Sequence, residues 1–264
     1  MSRPALSCNG NLYLPAYKPR AHVDLSAYGG SPDATVIDAE IQEIDPEGNA
    51  VWSWNSKDHT GLDETGRWYS IPVGNTDLVH INSIDVDGDS LVVSFRHADA
   101  VYKINRTTGD IEWKLGGTPT PESLTVVDDP YAGTGYPLGG QHDARVLADG
   151  TVTVHDNGSG LERPPRAVRY EIDEAAHTAT LVESVSDPEI TSSACCGSVR
   201  RSPSGSWLMS WGGNSRVTEF NSDGDRTFRL SFGALLFSYR AFPVPQGQIS
   251  RQSMREAMET MHPR

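Results

Sequence analysis

The chain of 264 residues is poor in cysteine and in positive charge, and it has no long apolar run. Nothing approaches the roughly 18 consecutive apolar residues of a membrane-spanning helix, so no span is expected. The opening residues, MSRPALSCNG, lack the apolar core of an export signal. Lys and Arg number 22 against 35 Asp and Glu, a net charge of −13, with no basic cluster to offset it. A nucleic-acid partner needs cationic groups to displace phosphate counterions, so this composition argues against one. An anionic small molecule would need a local cationic pocket to hold it against the overall field. The three cysteines, Cys8, Cys195 and Cys196, contain no CxxC pair. That argues against a disulfide scaffold and a structural zinc site, and no metal or cofactor is expected. Adjacent Cys195 and Cys196 lack the Cα separation a disulfide prefers, and read as small residues at a strand start.

What the chain does have is a repeat. Three segments align on their turn glycines: His80-INSIDVD-Gly88, His142-DARVLAD-Gly150 and Gly197-SVRRSPS-Gly205. Each reads as strand, tight turn, strand, the signature of a hairpin. A second hairpin follows each time, at 101–113, 168–182 and 217–228, and an earlier copy runs from Asn9-Gly10 through IQEIDPEGNAVWSW at 41–54. Units of two hairpins at regular spacing are what the blades of a β-propeller require, whereas a sandwich need not repeat one interval. The expected fold is all-β. It is a β-propeller of about four recognisable four-stranded blades plus an extra C-terminal strand near 235–244, compatible with a piece of a six-bladed ring. Residues 1–245 form this domain and 246–264 a short tail with helical character.

Propeller geometry places the first strand of every blade along the central channel, all in one direction. His80 and His142 hold the same register in consecutive repeats, so both are expected on one face of the disc. Gly197 and Ser2 hold that register in the other two. Arg96 ends the hairpin that His80 begins, which returns Arg96 and His97 to the same face. Two long loops, 55–79 and 115–141, lead into the histidine-bearing strands and are expected to overhang it. A lone histidine in a β protein is usually a hydrogen-bonded filler; two in register beside an arginine suggest a site. The run DVDGD (85–89) lacks the closing acid of a calcium loop and reads as a turn. Met254, Met258 and Met261 share one side of the tail, which suggests docking onto the disc.

The combination of HINS (80–83), S-x-R-H (94–97), I-x-W-x-L-G-G (111–117), QHD (141–143) and VHDNG (154–158) resembles the arylsulfate sulfotransferases. These are bacterial propeller enzymes that move a sulfuryl group from one phenol to another without a nucleotide donor. The similarity runs from about Gly10 to Pro245 and ends in YRAFPVP (239–245). The resemblance implies that His142 is a nucleophile carrying the sulfuryl group, and that His80 and Arg96 bind its oxygens. Asn82 and His97 are expected to support that site, Asp143 or Asp156 to fix the tautomer of His142, and His59 to lie near it. The substrates implied are an aryl sulfate and a phenol. Family members run longer at the N-terminus, with earlier blades and an export signal, which implies an exported or periplasmic protein if the gene is longer. A further family histidine has its register held here by Ser2. An open ring would leave strand edges exposed, so a homo-oligomer is a further expectation.

Two other readings fit the same residues. One is a propeller hydrolase or lyase acting on an anionic sugar or lactone. The other is a noncatalytic propeller that binds partners through its loops. A covalent adduct on His142 separates the first reading from both.

Overall fold

The computed structural model describes residues 5–6, 9–70, 76–233, 235–244 and 247–261. Short alternating apolar runs between Gly- and Asp-rich turns give four antiparallel sheets in sequence. Blade one comprises β1 (Ala5–Leu6), β2 (Leu12–Val23), β3 (Ala34–Ile44) and β4 (Ala50–Asn55). Blade two follows with β5 (Ile81–Asp87), β6 (Ser90–Phe95), β7 (Ala100–Asn105) and β8 (Ile111–Gly116). A short strand, β9 (Thr125–Val127), precedes blade three, which is β10 (His142–Val146), β11 (Val152–Asp156), β12 (Arg166–Asp173) and β13 (Thr178–Val185). Blade four is β14 (Ser198–Arg201), β15 (Trp207–Ser210), β16 (Arg216–Phe220) and β17 (Arg226–Ser231). The first strands β1, β5, β10 and β14 lie side by side in that order, the arrangement of a β-propeller. The turn glycines Gly88, Gly150 and Gly205 all adopt left-handed φ values, of 57°, 81° and 87°, which other residues reach only with strain.

Burial follows position within the blade. Strands β6 and β11 are buried along their whole length, because sheets cover both of their faces, while β17 is exposed throughout. Alternate side chains of β6 serve different cores. Leu91, Val93 and Phe95 pack with Ile41 and Trp54 of blade one; Val92 packs with Val154 and Tyr170 of blade three. Full burial of each such side chain is worth roughly 1.5–3 kcal/mol. A third core joins Ala167 to Val199, Met209 and Trp211 of blade four. Among the described residues no apolar cluster joins blade four to blade one.

Blades two and three are also pinned by polar groups. Gln141 donates through Nε2 to the carbonyls of Phe95 (3.0 Å) and Ala100 (2.8 Å), and Asn82 Nδ2 donates to the Gln141 carbonyl at 2.8 Å. These bonds set the position of His142 relative to His80.

Three features depart from the sequence reading. No strand forms in the described part of 235–244. That segment instead lies against the first strands, with the Ala241 amide on Ser198 Oγ (2.9 Å) and Arg240 Nη2 on the Asn82 carbonyl (2.5 Å). Its backbone bonds there to Ser198 Oγ and, through the Tyr239 carbonyl, to the Gly197 amide (3.1 Å) in place of a sheet edge. The loop 115–141 supplies β9, which pairs in parallel with β13 at the outer edge of blade three, and so makes that sheet five-stranded. It therefore serves the rim more than the expected face. The tail does form a helix, α1 (Arg251–Met261), but every residue in it is exposed and its methionines dock on nothing described. Ser2, Cys8 and His262 lie outside the described residues.

Candidate active site

One face of the disc carries a cavity of about 590 Å³. His80, Arg96 and His97 reach it from blade two and His142 from blade three. The loop before β5 contributes Trp68 and Asp77, and the segment before β14 contributes Cys195 and Cys196. Tyr239 completes the wall. His80 sits immediately before β5 in a left-handed conformation (φ 49°), with Nδ1 2.5 Å from Asp77 Oδ2. The His80 ring also packs on His97, with centroids 4.7 Å apart.

His97 Nδ1 lies 2.7 Å from the Asp77 carbonyl. A carbonyl only accepts, so this nitrogen holds the proton and Nε2 presents a lone pair, which accepts from Arg96 Nη1 at 3.0 Å. Burial, first, and the neighbouring positive charges push the His97 pKa down to about 4. Arg96 is held by its neighbours at Nη1, Nη2 and the face of its guanidinium. Its guanidinium lies 4.3 Å from the Trp68 ring centre, Nη2 donates to the Ala194 carbonyl at 2.7 Å, and Nε is buried with no protein partner among the described residues. Burial lowers its pKa, so the site already bears the cost of a desolvated cation.

The same tautomer argument applies to His142. Its Nδ1 lies 2.8 Å from the Gly197 carbonyl, so Nδ1 carries the proton and Nε2 bears the lone pair. That lone pair accepts from the Tyr239 hydroxyl at 3.1 Å. Burial, and after it the Arg240 charge, drives the pKa down to about 3, so the ring is neutral over the whole physiological range. Gly197 occupies the register that histidines hold in the two preceding repeats, for a steric reason. Its φ is 93°, and a Cβ there would lie 2.6 Å from Cε1 of the fully buried His155. Only glycine brings this carbonyl to His142.

The remaining expected site residues lie elsewhere. Asn82 is buried and braces blades two and three through Gln141 and the Asp143 amide. Neither Asp143 nor Asp156 fixes the tautomer of His142. The Asp143 carboxylate is taken by Arg145 and Arg200, with Arg240 Nε 3.6 Å away, and Asp156 accepts from the Gly139 amide (2.9 Å) and Arg166 Nε (2.9 Å). These guanidiniums outcompete a neutral imidazole for the carboxylates. His59 stacks on Trp54 with centroids 4.8 Å apart and does not line the cavity.

Sequence reasoning missed Asp77, Trp68, Tyr239 and the Gly197 carbonyl. Tyr239 lies in YRAFPVP and Trp68 in a loop already expected to overhang the face, but neither carried a pattern. Asp77, His80 and His97 bring ligand-type atoms within 4.8 Å of one another. A cation there would have to displace Arg96 from His97 Nε2 and sit beside its charge, so the trio is a poor fit for a metal.

The fold and site together define a β-propeller arrangement of four blades with a histidine- and arginine-lined pocket on one face. The chain matches the Arylsulfotransferase (ASST) family over residues 6–233 and belongs to that family. No curated protein matches it. Solved structures similar to it include virginiamycin B lyase from Staphylococcus aureus, at 12% identity over 88% of this chain and 55% of that one, with a TM-score of 0.44. A nidogen/laminin complex is similar at 11% identity, 90% and 66% coverage and a TM-score of 0.48. Hydrazine synthase from Kuenenia stuttgartiensis is similar at 11% identity, 87% and 48% coverage and a TM-score of 0.43. The chain thus spans between 48% and 66% of the length of these proteins.

Proposed function

We propose that the protein transfers a sulfuryl group from an aryl sulfate to a phenol through a covalent intermediate on His142. One observation carries this reading: His142 Nδ1 is held by the Gly197 carbonyl, which leaves a neutral Nε2 lone pair in a cavity that Arg96 and His80 also line. In the first half-reaction Nε2 attacks sulfur, the bond from sulfur to the aryl oxygen breaks, and the phenolate departs. In the second a phenol oxygen attacks the same sulfur, the bond to nitrogen breaks, and the phenolic proton passes to solvent. Sulfuryl transfer, like phosphoryl transfer, passes through a loose in-line transition state with charge on three equatorial oxygens. Catalysis then consists of positioning and of cationic donors to those oxygens. Arg96 supplies a rigid guanidinium, and His80, held through Nδ1 by Asp77, lines the same cavity. The Tyr239 hydroxyl holds the Nε2 lone pair at rest and must turn away as the bond to sulfur forms.

The test is a chromogenic aryl sulfate supplied without acceptor. One equivalent of phenol per chain should appear in a burst, leaving the protein heavier by one sulfuryl group. Added phenol should discharge that adduct, and His142→Ala should lose burst and adduct together. An H142A protein that keeps full turnover would remove the mechanism. A wild-type protein inert towards every aryl sulfate would transfer the same pocket to another anion.

A further inference from the structure

We propose that Cys195 and Cys196 form a thiol–disulfide exchange site in the pocket wall, which takes low-molecular-weight disulfides and closes to a vicinal disulfide. Both side chains line the cavity, and their Sγ atoms lie 3.0 Å apart, with Cys196 donating to Cys195. Sequence alone argues against a bond between neighbours, because a trans dipeptide separates its Cα atoms by only about 3.8 Å. The fold compensates by holding Cys196 in the left-handed region (φ 63°), which turns both thiols to the same side. The Cys196 hydrogen bond, and then the charges of Arg96 and His80, hold the Cys195 thiol below the ordinary thiol range, while Cys196 is raised. An attacking thiolate and a protonated resolving thiol are thus already in contact.

The exchange balances without a further reagent. Cys195 Sγ attacks one sulfur of R–S–S–R, forming a mixed disulfide and expelling RS⁻. Cys196 then gives up its proton, which an expelled RS⁻ takes up, and attacks Cys195 Sγ, forming the Cys195–Cys196 bond and expelling the second RS⁻. Two protein thiols are oxidised and one disulfide is reduced. The short Cα separation strains the product, so it is readily reduced again.

The position of the pair gives this chemistry a consequence. The dipeptide is bounded by the Ala194 carbonyl, which anchors Arg96, and the Gly197 carbonyl, which anchors His142. Between them the Cys195 carbonyl accepts from the Gly213 amide (2.9 Å) and the Cys196 carbonyl from Asn157 Nδ2 (3.0 Å). A strap held at every carbonyl cannot absorb ring closure locally, so closure displaces one or both anchors. This last step rests on the roles given above to His142 and Arg96; the exchange itself does not.

Two measurements separate these levels, both on a Cys8→Ser background so that only the pair reports. Treating the reduced protein with 5,5′-dithiobis(2-nitrobenzoate) should release two thionitrobenzoates per chain and leave a product two hydrogens lighter. Cys196→Ser should release one and retain the other on Cys195. A wild-type product carrying a stable label on either cysteine, or no reaction at all, overturns the exchange site. Histidine-selective ¹⁵N NMR then reads the anchor. The His142 Nδ1 signal should shift on oxidation and return with dithiothreitol, and aryl sulfate turnover should fall roughly tenfold or more in the oxidised form. An unchanged His142 signal overturns the coupling. The dithiol result and the NMR result both stand whether or not sulfuryl transfer is detected.

Discussion

The chemistry of single residues is set by burial more than by charge pairs. Arg96 is the clearest case, since its guanidinium is stacked, hydrogen-bonded and desolvated before any substrate arrives. Arg96→Ala should leave folding intact and slow sulfuryl transfer on the order of 10²-fold, as for loss of a preorganised donor to transition-state charge; steady-state kinetics beside a thermal melt checks both halves. Three histidines, His142, His97 and His155, are held neutral with pKa values of about 3, 4 and 4 against an ordinary 6.5, each chiefly by burial. Their folded values lie below the unfolded one. The stability they contribute is therefore complete above about pH 6.5 and is lost as pH falls towards 3 to 4, where unfolding is driven by protons that only the unfolded chain accepts. The thermal midpoint should drop between pH 7 and pH 4.5. His155→Leu should flatten that drop, because His155 is fully buried and neither ring nitrogen has a hydrogen-bond partner among the described residues. A midpoint independent of pH over this range would contradict the assignment.

At the scale of the element, the strand entries do the positioning. His80, His142 and Gly197 stand at the start of β5, β10 and β14, and each differs because its neighbour differs. Gly197→Ala must place a Cβ at a φ of 93° and 2.6 Å from the His155 ring. The left-handed conformation alone costs about 1–2 kcal/mol, and moving a packed ring adds to it. Denaturant unfolding should show a loss of roughly 2 kcal/mol or more. The variant should also release His142 Nδ1 from its acceptor, so its activity should fall further than its folded fraction. Activity that follows the folded fraction alone would deny the carbonyl its orienting role.

Across the whole molecule, the three inter-blade cores leave one face of blade one and one of blade four without a shared apolar cluster among the described residues. Strand β17 exposes every residue, including Phe228 and Leu230, and blade one exposes Leu6 and Val51. Unpaired edges and apolar sheet faces favour association. Sedimentation of this chain should show self-association that grows with concentration, and Phe228→Glu together with Leu230→Glu should weaken it. A monodisperse monomer at high concentration would count against that expectation.

The fold was legible in the sequence because a propeller is a local repeat. One interval from His80 to Gly88 recurs at His142 and Gly197, and each blade's strands and turns are specified within its own stretch of sequence. The shared face of His80, Arg96, His97 and His142 followed from the same periodicity, since register along first strands translates directly into depth in the channel. The groups that tune those residues were not legible, because they approach from distant parts of the chain with no period of their own. A carboxylate next to a histidine in sequence, Asp143, was claimed by Arg145 of its own strand and by Arg200 of β14. The tautomer of His142 was left to a backbone carbonyl, which no side-chain pattern can announce. Tyr239, 97 residues further along the chain, reaches Nε2 only because 235–244 lies against the first strands and forms no strand of its own. The contact between Cys195 and Cys196 likewise depends on one left-handed residue and on the carbonyl partners around it. Periodicity sets which side chains share a face; packing between blades decides which protons and lone pairs they present there.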